Sequence, residues 1–558
     1  MSLLEQKTQS YYKLSSAFYK KHQQRIGQLL LIGSSALLFV VVVALCVKFT
    51  HAHLSTGDQY DNSYLTLGWH PGARLTFLAQ HTNLMKLPFL WAQATLFPYN
   101  ITSLIVMNVL LTAGAVLGWT VIIHKLYKRQ LVTTAVNLLF VGVLVAAPDF
   151  SGNLIEASIR NIEYPITFGY LALVWKLLGH FSWKNWLGAS AILGILVASD
   201  LFFVYTVPVA VCSGLAILWF RGQANTKQFW VGATTSAAGA VGGLALLKFL
   251  SIIGVLGLVS IPRYFLPYNL LWGQVQNAIN QTFGVFGADF FGYLVKLQGL
   301  ARGGLAIILI MGCVFMYRTI ASAPAANQNQ KSRKQSGLNA FIPVALGLLF
   351  FVTLVVYVLS GFATATAENI RYITVLPFIV IFFTAYGLRR HEYLLLGIGA
   401  CALLIGIVCA PSLNQRIAYD KSQSDTWLAL DHKIIGNLQK NHVTKAYGTL
   451  GYSSTTWFNS GRSIEVGNLR PCNVKNPVLA TSVWYENKKP TRPTALIVDR
   501  LPAAVWEWET WANCSDQKIE SIYGIPIKRE LIGYQQGKPL EVWYFNYDIA
   551  SRLTDYRP

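Results

Sequence analysis

Two aspartates stand soon after the first long apolar run of the chain. That run covers Leu29 to Val47, and Asp58 and Asp61 follow in a polar stretch that begins at His51. A carboxylate held at a membrane boundary can act as a general base or as a cation ligand, because partial burial raises its pKa. Aspartates are also common in surface turns, and position alone favours that ordinary role. Residue type and place therefore define a candidate site without deciding its chemistry.

A second charged group lies in the connection 148–164. If residues 152–163 form a helix, Glu156, Arg160 and Glu163 stand at positions i, i+4 and i+7, on one face. Such a face gives a ladder of ion pairs whether or not the protein is a catalyst. An arginine between acids is more often structural, but its guanidinium could equally present two hydrogen bonds to a phosphate. Both interpretations stay open.

Arginine also precedes a late apolar run. Arg371 and Tyr372 come directly before this run, and Glu368 stands three residues before Arg371. At that depth a guanidinium can hold a lipid phosphate while its aliphatic stem lies in the apolar layer. A membrane anchor paired with Glu368 is an equally good interpretation. Arg263 stands in the aromatic and proline-rich segment 262–268, whose composition is typical of a membrane interface.

The elements that must position these residues follow from an apolar composition. Hydrophobic residues make up 53% of the 558 residues and charged residues 12%, with a mean hydropathy of +0.42, which indicates a membrane protein. Lysine and arginine gather in short connections, which explains the net charge of +21 without nucleic acid as a partner. Eleven apolar runs predict membrane-spanning helices. They lie near 27–49, 101–123, 131–147, 165–180, 187–200, 202–220, 229–257, 300–317, 340–361, 373–388 and 394–411.

The charges of the connections predict the orientation of the chain. With the N-terminus in the cytoplasm, every strongly basic connection falls on the cytoplasmic side, as the positive-inside rule requires. An odd number of spans then places the C-terminus outside, together with three long connections, 50–100, 148–164 and 259–299. Cys472 and Cys514, in the polar C-terminal part, fit one disulfide in an oxidising compartment. We therefore expect a multi-pass protein of the cell membrane.

The pattern changes after residue 411. Residues 1–411 predict an all-α membrane domain, whereas residues 412–558 predict a small extracytoplasmic α/β domain. The second part combines an amphipathic helix with alternating, β-rich segments. The helix is expected at 425–441, and strands are expected at 445–451, 463–466, 495–499 and 541–545.

Taken together, these features resemble the GT-C class of polytopic glycosyltransferases, which includes protein mannosyltransferases and bacterial aminoarabinose and arabinosyl transferases. That class has an acidic residue after the first helix, charged residues in a second outer loop, and an Arg-Tyr step before a late helix. The matching residues here are Asp58 with Asp61 as the alternative, then Glu156, Arg160 and Glu163, then Arg371 and Tyr372.

The resemblance implies an inverting transfer of a sugar from a polyprenyl-phosphate donor to an acceptor hydroxyl at the outer face of the cell envelope membrane. Asp58 would accept the proton, and Arg371, with Arg160 or Arg263, would stabilise the departing lipid phosphate. Asp58 and Asp61 could share a divalent cation. The acceptor is open between glycan, lipid and protein. The alternative function is a transporter or flippase of lipid-linked glycans.

Overall fold

The structure is a computed structural model. It describes residues 3–53, 64, 70, 72–78, 81–97, 101–155, 162–259, 267–290, 297–322, 330–361, 363, 369–470, 472–476, 480–486, 492–500, 514–535 and 537–555.

Helices dominate the first 440 residues, and the predicted apolar runs correspond to them. The run predicted at 229–257 is wrong at its end, because the helix stops at Ile252 and residues 256–259 form a strand that pairs with Leu75–Leu78. The apolar side chains of the helices are stable in lipid only if the backbone satisfies its own hydrogen bonds, which a helix does. In chain order the helices are α1 Leu3–Ala52, α2 Leu87–Leu96, α3 Ile101–Tyr127, α4 Gln130–Ala146, α5 Pro148–Ile155, α6 Glu163–Gly179, α7 Trp183–Ser199, α8 Phe202–Phe220, α9 Thr226–Ile252, α10 Tyr268–Val285, α11 Leu297–Ala321, α12 Gln330–Leu359, α13 Leu376–Leu388 and α14 Glu392–Lys440.

The chain is a membrane protein by the length and hydropathy of these helices. Within the described residues, eight helices are long and apolar enough to cross a membrane, and α4 with α5 makes a ninth if the pair, bent by 101°, is one span. Two further apolar helices, α6 and α7, have 17 residues each. The membrane-domain prediction is confirmed at this level, and the count of eleven spans stays a prediction.

Contacts between helix termini define two ends of the bundle. At one, which we call the basic end, Arg129 bonds Glu392 at 2.6 Å and Arg221 bonds the backbone carbonyl of Ser322 at 3.2 Å. At the other, which we call the domain end, His53 meets Asp420 at 3.4 Å. Helices α4 and α14 thus begin, and α8 and α11 end, at the basic end, whereas α1 ends at the domain end, which fits an up-and-down bundle.

A continuous helix joins the bundle to the C-terminal part. Helix α14 passes through the expected domain boundary at 411/412 and ends only at Lys440. In the bundle it packs closely on α4, because a Cβ atom at Gly399 would lie only 2.7 Å from the carbonyl oxygen of Ala135. Beyond the bundle, Ile434 and Leu438 pack in the core beneath the C-terminal sheet. The same helix therefore fixes the sheet relative to the bundle.

The predicted C-terminal sheet is confirmed. The strands are β1 Leu75–Leu78 and β2 Leu256–Val259, after α1 and after α9, then β3 Lys445–Gly448, β4 Glu465–Arg470, β5 Val474–Lys475, β6 Ala480–Thr481, β7 Thr494–Asp499, β8 Lys528–Gln535 and β9 Lys538–Phe545. Six of the described strands form the C-terminal sheet, in the order β5, β4, β3, β7, β9, β8. Strand β3 pairs in parallel with β4 and β7, whereas β9 pairs antiparallel with β7 and β8. Cys472 and Cys514 form a disulfide with a Cα–Cα distance of 5.5 Å. The strand predicted at 445–451 is wrong at its end, because β3 stops at Gly448 and a helix, Leu450–Asn459, begins two residues later.

Candidate functional site

The structure brings together the predicted site residues that it describes. Glu163, Arg371 and Tyr372 all lie at the domain end, where Tyr164 connects them. The other predicted residues of the site lie outside the described residues. These are Asp58, Asp61, Glu156, Arg160 and Arg263.

A fully buried ion pair stands at the first of these residues. Glu163 opens α6, where a negative charge is favoured by the helix dipole. Its carboxylate oxygen Oε1 lies 3.3 Å from the ammonium of Lys86, and both side chains are 0% exposed. The sequence pattern placed Glu163 in a ladder with Glu156 and Arg160, but its described partner comes from the turn before α2. The pair joins the connection 50–100 to the start of α6.

Tyr164 holds the backbone of the arginine site. Its hydroxyl donates to the carbonyl oxygens of Arg371, at 3.0 Å, and Tyr372, at 3.1 Å. Both residues belong to a short 3₁₀ helix, Ile370–Tyr372, and the hydroxyl of Thr374 also donates to the Arg371 carbonyl at 3.0 Å. These bonds leave the segment little conformational freedom. The backbone that carries the Arg371 side chain is therefore held in place before any ligand binds.

Arg371 is half-buried and has no carboxylate within 4.0 Å of its guanidinium among the described residues. The contact that the structure gives it is with the ring of Tyr372, 5.5 Å from guanidinium carbon to ring centroid. By contrast, Arg302 is paired with Asp289, and burial raises the pKa of that carboxyl group while the guanidinium opposes the shift. Glu368, the acidic partner that the sequence offers, lies outside the described residues. A half-buried arginine without an acidic partner in the described part of the chain suits an external anion.

A histidine–aspartate pair, which the sequence analysis did not single out, lies beside the arginine site. His81 Nδ1 and Asp200 Oδ2 are 2.7 Å apart, and the Asp200 side chain is 3% exposed. The other oxygen of Asp200 accepts the backbone N–H of Phe202 at 2.8 Å, and the Phe202 ring lies 5.3 Å from that of Tyr372. The signal in the sequence was the polar step Ser199-Asp200 between two apolar runs, but nothing in it indicated His81 as the partner.

The first long connection is docked on the C-terminal part. Strand β1 pairs in parallel with β2 and antiparallel with β6. Tyr64 exchanges two hydrogen bonds with the backbone of Val466, at 2.8 and 2.9 Å, and stacks on Trp484 with 4.4 Å between ring centroids. Since Asp58 and Asp61 come between His53 and Tyr64 in the chain, the structure fixes both ends of the segment that carries them.

We expect Tyr64→Phe to loosen this docking while keeping the aromatic stack. The variant leaves the backbone N–H and carbonyl of Val466 without their phenolic partner, which costs about 1–3 kcal/mol. Hydrogen exchange of the peptide containing 72–97 should accelerate. Tyr452→Phe is the matched control, because that hydroxyl donates at 2.6 Å to Gln535, away from the first connection. Equal exchange in the two variants would contradict the docking role.

The described residues contain no group of three or more histidine, cysteine, aspartate or glutamate side chains placed to hold a metal ion. Asp58 and Asp61, the predicted ligands of a divalent cation, lie outside the described part of the chain. The cation therefore stays a prediction.

Comparison with known proteins adds no family. No protein-family model matches the chain, and no curated protein matches it either. The geometry of the site and the resemblance of its motifs are therefore the two sources of information on function.

Proposed function

We propose that the protein is a membrane glycosyltransferase that moves a sugar from a polyprenyl-phosphate donor to an acceptor hydroxyl, with inversion at the anomeric carbon. The observation that carries the proposal is the setting of Arg371, which is half-buried just before the apolar helix α13. Its guanidinium has no carboxylate partner among the described residues. A lipid phosphate supplies the missing anion at the depth where the side chain stands. We place the domain end outside the cytoplasm and the basic end inside, as the positive-inside rule favours.

The reaction assigns each group one task. The acceptor oxygen attacks the anomeric carbon, the bond from that carbon to the phosphate oxygen breaks, and the electron pair leaves with the phosphate. Asp58, or Asp61 as the alternative, takes the acceptor proton. Arg371 stabilises the negative charge that grows on the leaving phosphate. Because Tyr164 and Thr374 already fix the Arg371 backbone, this stabilisation needs little reorganisation.

The fold supports these separate roles for the first connection and the arginine site. The buried Lys86–Glu163 pair lies immediately before Tyr164, so the same turn of α6 holds the first connection and the arginine site. The first connection carries Asp58 and Asp61, and it is docked on the C-terminal sheet just after them through Tyr64. A proton acceptor from one loop and a phosphate-binding group from another can thus be held in a fixed position relative to each other.

The test is mass spectrometry of the lipids that co-purify with the protein. We expect a polyprenyl phosphate or its sugar ester with the wild type and its depletion with Arg371→Ala. The matched control is Arg389→Ala, because Arg389 stands at the other end of α13 and also lies over a neighbouring tyrosine, 3.9 Å from the Tyr386 ring centroid. Retention of the lipid by Arg371→Ala, or its absence from folded wild type, would remove the donor site and favour a transport assay next.

A further inference from the structure

A cavity of mixed polar and apolar lining, separate from the arginine site, lies where the bundle meets the C-terminal sheet. We call it the junction cavity, and its volume is about 500 Å³, within the usual range of small-molecule sites. It is lined by the end of α1, by α5, by the part of α14 beyond the bundle, and by the end of β8. Four elements from both parts of the protein thus converge on one space.

The charges around the junction cavity disfavour an anionic ligand. Asp420 accepts from Arg416 at 3.0 Å and meets His53 at 3.4 Å, and Arg416 also lies 4.0 Å from Asp149. Two carboxylates thus surround the one arginine, and Asp420 already engages it. A phosphate or carboxylate here would face repulsion from both acids.

Lipid tails and metal ions are also poor occupants. The lining of the cavity combines charged and amide side chains with apolar ones, whereas the groove between α10, α11 and α12 is apolar throughout and is the better surface for lipid. The two acids of the junction cavity are separated by Arg416, and no metal-binding group of three ligands occurs among the described residues. What the lining offers instead is a mixture of hydrogen-bond donors and acceptors with little net charge.

That mixture fits a neutral molecule with many hydroxyl groups. Carboxylate oxygens of Asp149 accept from hydroxyls, while the amide of Gln423 both donates and accepts. Trp427 and Tyr534 line the same cavity and offer aromatic surface to the C–H faces of a sugar ring. The Trp427 ring is held by stacking on Tyr452, 4.8 Å between centroids, so it is already ordered.

We infer that the junction cavity binds a sugar unit of the acceptor, which makes the acceptor a glycan. The assignment of that sugar as acceptor rests on the proposed transferase function, whereas saccharide binding itself does not. Position supports the assignment, because Asp149 of α5 lines the cavity while the same short helix contacts the Ile370–Tyr372 segment. Helix α5 therefore contacts both the junction cavity and the segment that carries Arg371.

The experiment measures saccharide binding without transfer. Saturation-transfer NMR on the full chain in lipid nanodiscs would screen the methyl glycosides of glucose, galactose, mannose, rhamnose and N-acetylglucosamine at millimolar concentration. We expect at least one to bind the wild type. Asp149→Asn and Gln423→Ala should each weaken it by about fivefold or more, since each removes or alters one hydrogen bond to the sugar.

Two controls separate this inference from the proposed function. Gln28→Ala changes an exposed glutamine at a polar cavity of the basic end and should leave binding unchanged. Arg371→Ala should also retain the glycoside, even where it loses the donor lipid. Two results would contradict saccharide binding in the junction cavity. One is that no glycoside binds the wild type, and the other is that Asp149→Asn and Gln423→Ala both leave the binding unchanged. If a glycoside binds and the cavity variants weaken it, but no donor lipid co-purifies with the wild type, the saccharide site is supported and the proposed transferase function is contradicted.

Discussion

Lys86→Met lowers the free energy of unfolding by about 3–5 kcal/mol, because it leaves the carboxylate of Glu163 buried without its ammonium partner. Both side chains are 0% exposed, so water cannot replace the lost partner without opening the structure. Unfolding in mixed micelles, followed by tryptophan fluorescence, measures the change. The effect should be among the largest of any single substitution outside the apolar core.

A second substitution distinguishes charge from packing. Glu163→Gln in the Lys86→Met background removes the unpaired charge at nearly constant volume and should recover most of the lost stability. If the loss came from packing alone, the double variant would remain as unstable as Lys86→Met.

An exposed pair supplies the matched control. Lys421 bonds Asp425 at 2.8 Å on the surface of α14, and both side chains are more than half exposed. Lys421→Met should change stability by about 0.5 kcal/mol or less, since exposed pairs contribute little. A loss for Lys86→Met no greater than that for Lys421→Met would show that the buried pair does not hold the loops together.

The elements of the fold were predictable because their signals are local. Apolar runs of about twenty residues and segments of alternating β-formers depend on neighbours in the chain, and they predicted the helices and the sheet region. The short Ser199-Asp200 step likewise falls between α7 and α8. Several helix boundaries were not predictable, because polar residues can continue a helix beyond its apolar part. Helix α1 begins at Leu3 instead of 27, α12 begins at Gln330 instead of 340, and α14 continues to Lys440, where it supports the sheet.

The contacts of the candidate site were not predictable, because they join residues far apart in sequence. Tyr64 and Val466 are separated by 402 residues, and His81 and Asp200 by 119. Nothing in the local pattern of either partner indicates the other. Arg371 was found because an arginine at an apolar boundary is unusual by itself. Lys86 stands at a similar boundary, before the apolar helix α2, but its partner Glu163 is 77 residues away and nothing local indicates the pair.

The largest expected effect on activity is that of replacing Arg371. Arg371→Ala should lower the turnover number for release of polyprenyl phosphate by about 10²–10³-fold, the usual cost of removing one group that stabilises developing negative charge. The substrate is the sugar lipid identified by co-purification, supplied in proteoliposomes. Arg371→Lys should retain part of the rate, because an ammonium keeps the charge but cannot form two parallel hydrogen bonds to a phosphate.

The division between kcat and KM decides what Arg371 does. If the guanidinium acts on the leaving phosphate, kcat falls more than KM rises, because the interaction strengthens as the bond to the sugar breaks. If it only anchors the donor, KM rises and kcat is retained. Arg389→Ala, at the opposite end of α13, should alter neither constant substantially. A rise in KM alone would keep Arg371 as a lipid-binding residue and contradict its part in catalysis, and the leaving-group charge would then need another partner in the connections around the site.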